Sequence, residues 1–325
     1  MENDSKFPET LQQAILYFSN PENCHRFMVM MRWPDGVVRC PTCDSEKVTY
    51  LAKARVWKCY NKHPRAKFSV KIGTVMEDSP IGLDKWLAAI WLIANAKNGI
   101  SSYEIHRALG VTQKTGWFLL HRIRLAMQTG TFKKLSGTVE IDETAIGGLA
   151  KNMHKNKRAA RIHAPGPTTG KMLVMGLLER HGEVVTRIVA NTEGLTLKRE
   201  IRNNVELGSE VFTDGHGGYR GLNPEYFHDF VQHNEEYVRG RVHTNGIENF
   251  WTLLKRSIKG TYVAVDPQHL FRYLDEQTFR YNKRQGKDAD RFVEVAGMVT
   301  GRRLTYDELT GKNGSDEKAC DEKAD

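Results

Sequence analysis

The sequence predicts an α/β protein, a mixed sheet with flanking helices, preceded by two small modules of different texture. Three observations carry that reading. Four Cys and His residues between positions 40 and 63 have the spacing of metal ligands. Apolar residues from Leu83 to Met127 recur at helical intervals, broken by a glycine turn. From Thr138 onward the pattern alternates as strands do, and two further amphipathic helices follow. The 325 residues leave room for more than one core, and a formal charge of +9 points toward a polyanionic partner. No apolar run is long enough to span a bilayer. Met1–Lys6 shows no basic region followed by an apolar core, so a cytoplasmic, nucleoid-associated protein is expected.

Residues 1–35 read as an N-terminal helical segment. Thr10-Leu11 opens a helix carrying Leu11, Ile15, Leu16 and Phe18, and Pro21 follows its end. Cys24 reads as a core thiol. Residues 36–76 hold Cys40-Pro-Thr-Cys43 and, fifteen residues on, Cys59-Tyr-Asn-Lys-His63. Two knuckles that each supply two ligands are what a closed tetrahedral Zn2+ site needs. Short β-type runs, Val48–Leu51 and Phe68–Ile72, accompany them, among the basic residues Lys53, Arg55, Lys58, Lys62, Arg65 and Lys67. This is the pattern of a zinc ribbon, too small to fold without its metal.

Residues 80–130 read as helix-turn-helix-like. Leu83, Trp86, Leu87, Ile90 and Ile93 mark a first helical face. Ser101-Ser-Tyr-Glu104 is a capping box, with Ile105, Ala108 and Leu109 expected on the inner face of the helix it opens. Gly110 ends that helix and Thr112 caps the next. Gln113, Lys114 and Thr115 then stand at a helix N-terminus where polar groups can reach base edges and phosphates, while His121, Arg122 and Arg124 are expected on the DNA backbone. A plain three-helix packing unit would show the same pattern.

A hinge of small and polar residues leads into residues 137–285. Thr138–Asp142 alternates, so Val139 and Ile141 face one way and Asp142 the other, and Gly147-Gly148 ends the element. The block Leu149–His163 holds Lys155, Lys157, Arg158 and Arg161 without an acid, a basic loop expected to order on phosphates. Met172–Leu178 and Glu183–Ala190 make a hairpin about His181-Gly182, then come a helix over 196–204, a strand Glu210–Asp214 and a strand near Phe230. Ile247, Trp251, Leu254 and Ile258 form the seam of a helix whose adjoining edge carries Glu248, Thr252, Lys255 and Lys259. A second helix spans 269–282, a helical segment 286–310, and the tail 311–325, Cys320 included, is expected to be disordered.

That order of elements is the order of a ribonuclease-H-like domain. Asp142 and Asp214 stand late on strands and Glu248 on a following helix, free to converge. Three such carboxylates repel unless a cation lies between them, and hard Mg2+ or Mn2+ suits carboxylate oxygen. Two ions could activate an attacking hydroxyl and stabilise a leaving one, with Lys255 on phosphate and Lys259 a further DNA contact. Glu140, Glu143, Glu235 and Glu236 are set aside as solvent or supporting groups.

The blocks Val139–Gly148, Thr213-Asp-Gly-His-Gly-Gly-Tyr219 and His243–Arg256 resemble the catalytic blocks of DDE-type insertion-sequence transposases, in particular the bacterial group with an N-terminal zinc ribbon. Cys40-Pro-Thr-Cys43 and Phe68–Thr74 resemble its ribbon. The resemblance implies binding of double-stranded transposon ends, metal-dependent strand cleavage and transfer of the 3′-hydroxyl into target DNA, with a homo-oligomer assembled on DNA. In this chain His63 stands where the group has cysteine, and some relatives carry Asn at the third acid, so Asn245 is a candidate to share the role of Glu248. Two other readings stay open: a DNA-binding regulator with an idle α/β domain, and a nuclease that cuts without joining.

Overall fold

The computed structural model describes residues 7–128, 133–148, 170–231 and 240–311. The chain divides into two units, one gathering residues up to Ala96, Ile100–Met127 and those from Gly286, the other Lys97–Gly99 and Gln128–Gln285. Among the described residues no helix is long and apolar enough to cross a membrane.

The first unit begins with α1 (Leu11–Phe18), closed at its start by a capping box between Thr10 and Gln13. Pro21 then opens α2 (Pro21–Arg32) at its first turn, where a missing N–H costs nothing. Leu11, Ile15 and Leu16 are exposed, so only part of the expected apolar face of α1 is covered. Cys24 is buried and donates its thiol to the Phe18 carbonyl (2.9 Å). Strands β1 (Val48–Leu51), β2 (Val56–Cys59) and β3 (Lys67–Phe68) form a small antiparallel sheet.

Helix α3 (Leu83–Asn95) buries Trp86, Leu87, Ile90 and Ile93, and Ala89, Trp91 and Ala94 as well, so it is covered on nearly every side. The Ser101–Glu104 capping box opens α4 (Ser102–Leu109), Gly110 caps it at φ +60, and Thr112 caps α5 (Gln113–Met127) by accepting from the Thr115 N–H (3.1 Å). Ala108 is exposed and Leu109 half-buried, so Ile105 is the residue that anchors α4. Late in the chain, α9 (Asp288–Gly297) and α10 (Tyr306–Thr310) join this same unit. Phe292 of α9 lies within aromatic contact of Phe7, Phe18, Phe27 and Trp91.

The second unit is built on five strands: β4 (Thr138–Ile146), β5 (Met172–Glu179), β6 (Val184–Val189), β7 (Glu210–Asp214) and β8 (Phe227–Val231). Their order is β6-β5-β4-β7-β8; the first three are antiparallel, and β4, β7 and β8 run parallel. Helix α6 (Gly194–Asn204) covers one face, where Leu197 and Ile201 meet Val139, Ile141, Met175 and Val211. Helices α7 (Asn245–Ser257) and α8 (Leu270–Asn282) cover the other, where Ile247, Phe250, Trp251, Leu254 and Leu274 meet Val174, Leu178 and Val184. This mixed sheet between helices is a ribonuclease-H-like fold. Period two on β4 thus sends odd positions to α6 and even positions, Asp142 among them, toward α7.

Candidate active site and zinc ribbon

Asp142 lies on β4, whose parallel partner β7 is in the register Thr138↔Glu210, Val139↔Val211 and Glu140↔Phe212. Continuing that register by two residues sets Asp142 beside Asp214, which ends β7; Asp142 itself is mid-strand, not late on it as expected, because β4 runs on to Ile146 against β5. On the antiparallel side Asp142 pairs with Gly176 of β5. A Cβ at Gly176 would lie 2.6 Å from the Trp251 ring and 2.7 Å from Ile247, so this glycine lets α7 settle onto the sheet beside Asp142. There the Trp251 Nε1–H donates to Asp142 Oδ2 (3.0 Å). Trp251 belongs to the predicted seam, but its role as a partner of the acid is visible only in the fold.

Glu248 sits one turn before Trp251 on the same helix, its Oε1 accepting from the Thr244 hydroxyl (2.9 Å). Asp214 Oδ1 accepts from the His216 N–H (3.0 Å), which orients the carboxyl at the strand end. Burial first, then the charge of Asp214, then, past two hydrogen bonds that lower it, Glu248, push the Asp142 carboxyl up to about 6. Burial also lifts Glu143, on the opposite face of β4, to about 7, and the Tyr219 hydroxyl donates to it. Asp142 is therefore close enough to feel the charges of both Asp214 and Glu248. Among the described residues, however, only the ribbon ligands bring all their donor atoms within 4.8 Å of one another.

Glu140 departs furthest from expectation. Set aside as a supporting or solvent group, it is 1% exposed and lies under the start of α7. Its Oε2 accepts from the backbone N–H groups of Gly246 (2.7 Å) and Ile247 (3.1 Å), and its Oε1 from Arg180 Nε (2.7 Å). His243 Nδ1 lies 3.3 Å from Oε1 without the alignment of a hydrogen bond. Arg180 also donates to the carbonyls of Arg241 (2.8 Å) and His243 (2.9 Å). A buried carboxylate at a helix N-terminus meets both orphan N–H groups and the positive end of the dipole. A Cβ on Gly246 would come within 2.7 Å of Glu140 Oε2, so glycine is needed for that approach. Glu140 shares the Asp142 face by strand alternation, a signal present in the sequence.

Lys255 is exposed on α7, Lys259 is exposed in the π turn Ile258–Tyr262 that follows it, both line one cleft, and Asn245 is exposed in the first turn of α7. In α5 the Gln113 amide donates to the Ser102 hydroxyl (2.9 Å), and the Lys114 ammonium lies 4.5 Å over the Tyr306 ring. Arg122 and Arg124, expected on DNA, are 4% and 1% exposed. Arg122 instead donates to the carbonyls of Leu304 (2.9 Å) and Glu77 (2.8 Å), and His121 is buried with them. The returning C-terminal segment covers a helix face that local charge marks as surface. Lys155, Lys157, Arg158 and Arg161, the acids Glu235 and Glu236, and the tail with Cys320 lie outside the described residues.

In the ribbon, Cys40 Sγ is 3.4 Å from His63 Nε2, and Cys43 Sγ is 3.7 Å from Cys59 Sγ. A tetrahedron with Zn–S near 2.3 Å and Zn–N near 2.0–2.1 Å has edges of roughly 3.5–3.8 Å, so this quartet fits zinc. His63 Nδ1 is 2.7 Å from the Pro64 carbonyl; with the proton on Nδ1, Nε2 is left for the metal. The Ser45 backbone N–H, ahead of other causes, draws the Cys43 thiol down to about 7 and favours the thiolate.

Residues 19–61 match a transposase zinc-ribbon domain, and residues 134–282 match an ISXO2-like transposase domain. The chain belongs to the family that joins these two domains. The ribbon match holds Cys40, Cys43 and Cys59 and stops before His63. A relative from Halobacterium salinarum, an uncharacterized protein in transposable element ISH50, is 25% identical over 285 residues, 84% of this chain and 95% of its own length. As a member of this transposase family, the chain carries a ribbon whose four ligands suit structural zinc. Chelating zinc is therefore expected to unfold the ribbon and expose Trp57, which stacks on His25 (5.3 Å between ring centres) and Phe68 (5.8 Å). Near-UV circular dichroism should lose aromatic signal on chelation and regain it with zinc; an unchanged spectrum would refute a folding role for the metal.

Proposed function

We propose that this chain is a DNA transposase that binds transposon ends and catalyses strand cleavage and strand transfer through Asp142, Asp214 and Glu248. The observation that supports this best is the Asp142 carboxyl, partly buried in the middle of β4 and within the field of Asp214, at the end of the parallel strand β7, and of Glu248. Buried like charges destabilise a fold, and divalent cation binding is the compensation that oxygen ligands allow. Mg2+ or Mn2+ ions held by these three side chains would activate the attacking hydroxyl and stabilise the leaving oxygen. Trp251 holds the Asp142 carboxyl by its Nε1–H, Asn245 is a candidate from the family resemblance to share the part of Glu248, and Lys255 would supply positive charge for a phosphate. Gln113, Lys114 and Thr115, with the basic ribbon, are the proposed contacts to the terminal repeats, and a homo-oligomer on DNA would pair the two ends.

Incubating the protein with its flanking terminal repeats, Mg2+ and a plasmid should yield joined products. End binding without cutting would favour the regulator reading, and cutting without joining the nuclease reading. A thermodynamic signature should accompany the metal. Because Asp142 and Glu143 are raised to about 6 and about 7, the folded state holds their protons more tightly than the unfolded chain does. Their contribution to stability is complete below about pH 4 and is lost as pH rises through 6 to 7. Mg2+ is thus expected to raise the melting temperature more at pH 8 than at pH 5, measured by scanning calorimetry; an equal rise at both would refute this coupling.

A further inference from the structure

We propose that Glu143 and Tyr219 are positioning residues whose hydrogen bond sets the spacing of Asp142 and Asp214, and with it the fit of a divalent cation between them. This rests on the reading of the chain as a metal-dependent strand transferase and deepens it.

The parallel ladder between β4 and β7 stops at Glu140↔Phe212. Past that pair the two strands follow other partners. β4 stays with β5 as far as Ile146↔Met172, and β7 stays with β8 as far as Asp214↔Val231. Asp142 and Asp214 stand in this unladdered stretch, each carried by a different neighbour. Strand pairing therefore leaves their separation open. Mg2+, which takes oxygens at about 2.0–2.1 Å in near-ideal octahedral geometry, tolerates little error in it.

Side chains bridge the gap. Glu143 follows Asp142 but faces α6, and there the Tyr219 hydroxyl donates to its Oε1. Tyr219 is buried in the same cluster as Val139 and Ile141 of β4. The turn between Asp214 and Tyr219 is tied down at each step. Asp214 Oδ1 accepts from the His216 N–H (3.0 Å), His216 Nδ1 from the Gly218 N–H (3.2 Å), and the His216 carbonyl from the Tyr219 N–H (3.2 Å). A Cβ at Gly218 would lie 3.0 Å from Leu197 Cδ1 and from the Thr192 carbonyl, so the turn is pressed against the start of α6. A shift of Tyr219 is passed through these short links to Asp214. On the other strand, the N–H of Glu143 donates to the Asp142 carboxyl.

A carboxyl is costly to withdraw from water, and an apolar pair would fill the same place without that cost. What the carboxyl and the phenol add is a directional bond of fixed length between the two acid-bearing segments. Glu143 is not itself placed as a ligand, since it faces α6 while Asp142 faces the α7 side that carries Glu248.

The test uses the full-length, zinc-loaded protein on a terminal-repeat duplex whose 3′ end lacks its hydroxyl, so that nothing turns over. Mn2+ binding to this complex is read by electron paramagnetic resonance. Joining is read separately in Mg2+ with a normal 3′ end, and melting in metal-free buffer. Tyr219→Phe keeps the ring and removes the hydroxyl. It is expected to weaken Mn2+ binding about tenfold, the lower end of what partners of ligating groups are worth, and to slow joining at subsaturating Mg2+. Glu143→Gln keeps an oxygen that can accept from Tyr219, so it should lose less affinity than Tyr219→Phe. Wild-type Mn2+ affinity in Tyr219→Phe, even with a lowered melting temperature, overturns the inference and leaves the proposed function standing. A larger loss in Glu143→Gln than in Tyr219→Phe also overturns it, because the charge of Glu143 and not its bond would then hold the metal. A wild type that binds Mn2+ without joining ends removes strand transfer, while the affinities of the variants still decide the spacing. A wild-type complex that binds no Mn2+ removes both.

Discussion

Asp142→Asn is expected to abolish strand transfer, by about 10³-fold or more, which corresponds to about 4 kcal/mol of transition-state stabilisation. The substitution should leave end binding intact, because Asp142 lies on β4 in the second unit and the proposed contacts to the terminal repeats lie in the first. Its effect on stability should have the opposite sign. The asparagine oxygen can still accept from Trp251 Nε1, while the buried charge beside Asp214 disappears. With the native carboxyl raised to about 6, ionising it at pH 7.5 costs up to about 3 kcal/mol at about 1.4 kcal/mol per pH unit. The variant should therefore melt higher than the native chain in metal-free buffer at pH 7.5. Lost activity with gained stability marks a charge kept for function against the interest of the fold. Retained joining, or a lower melting temperature, would refute that assignment.

Glu140→Ala is expected to be the most destabilising single change in the second unit, costing about 3–5 kcal/mol as broken buried ion pairs do. It removes the acceptor of two helix N–H groups and leaves the Arg180 guanidinium without its carboxylate. The consequence for chemistry is carried by α7, whose first turn holds Glu248. Glu140→Gln keeps the shape and one acceptor oxygen, so it should destabilise less while still loosening the helix start. Urea unfolding of both variants, with strand transfer measured alongside, checks the order. Wild-type stability in Glu140→Ala would mean that the network is surface decoration after all.

These two residues also show what the sequence disclosed. Local patterns carried the elements well: alternation found the first half of β4, a short run stopped by glycines found β7, the capping box and Gly110 found α4, and the Cys/His spacing found the quartet that meets in space. Partners brought from far along the chain were hidden. Arg122 bonds to a carbonyl 182 residues away, so its burial leaves no trace in the periodicity of α5. Glu140 meets Gly246 across 106 residues, and its acid type alone suggested solvent. Pro21 does follow the end of α1 as expected, but the helix it opens, α2, is not separated in the sequence, since a proline after one helix can equally begin the next. Leu11, Ile15 and Leu16 are apolar at helical spacing and yet exposed, because among the described residues α1 is covered on the side of Ala14 and Phe18 only.

The central claim is that Asp142, Asp214 and Glu248 together hold divalent cations at the reacting phosphate. Calorimetric titration of Mn2+ into the zinc-loaded, full-length protein bound to a terminal-repeat duplex tests it without reference to turnover. Two Mn2+ ions per active chain are expected for the native protein, with at least one lost in each of Asp142→Asn, Asp214→Asn and Glu248→Gln. Native stoichiometry and affinity in any of these variants would contradict the claim for that residue, and no Mn2+ binding by the native complex would contradict it entirely.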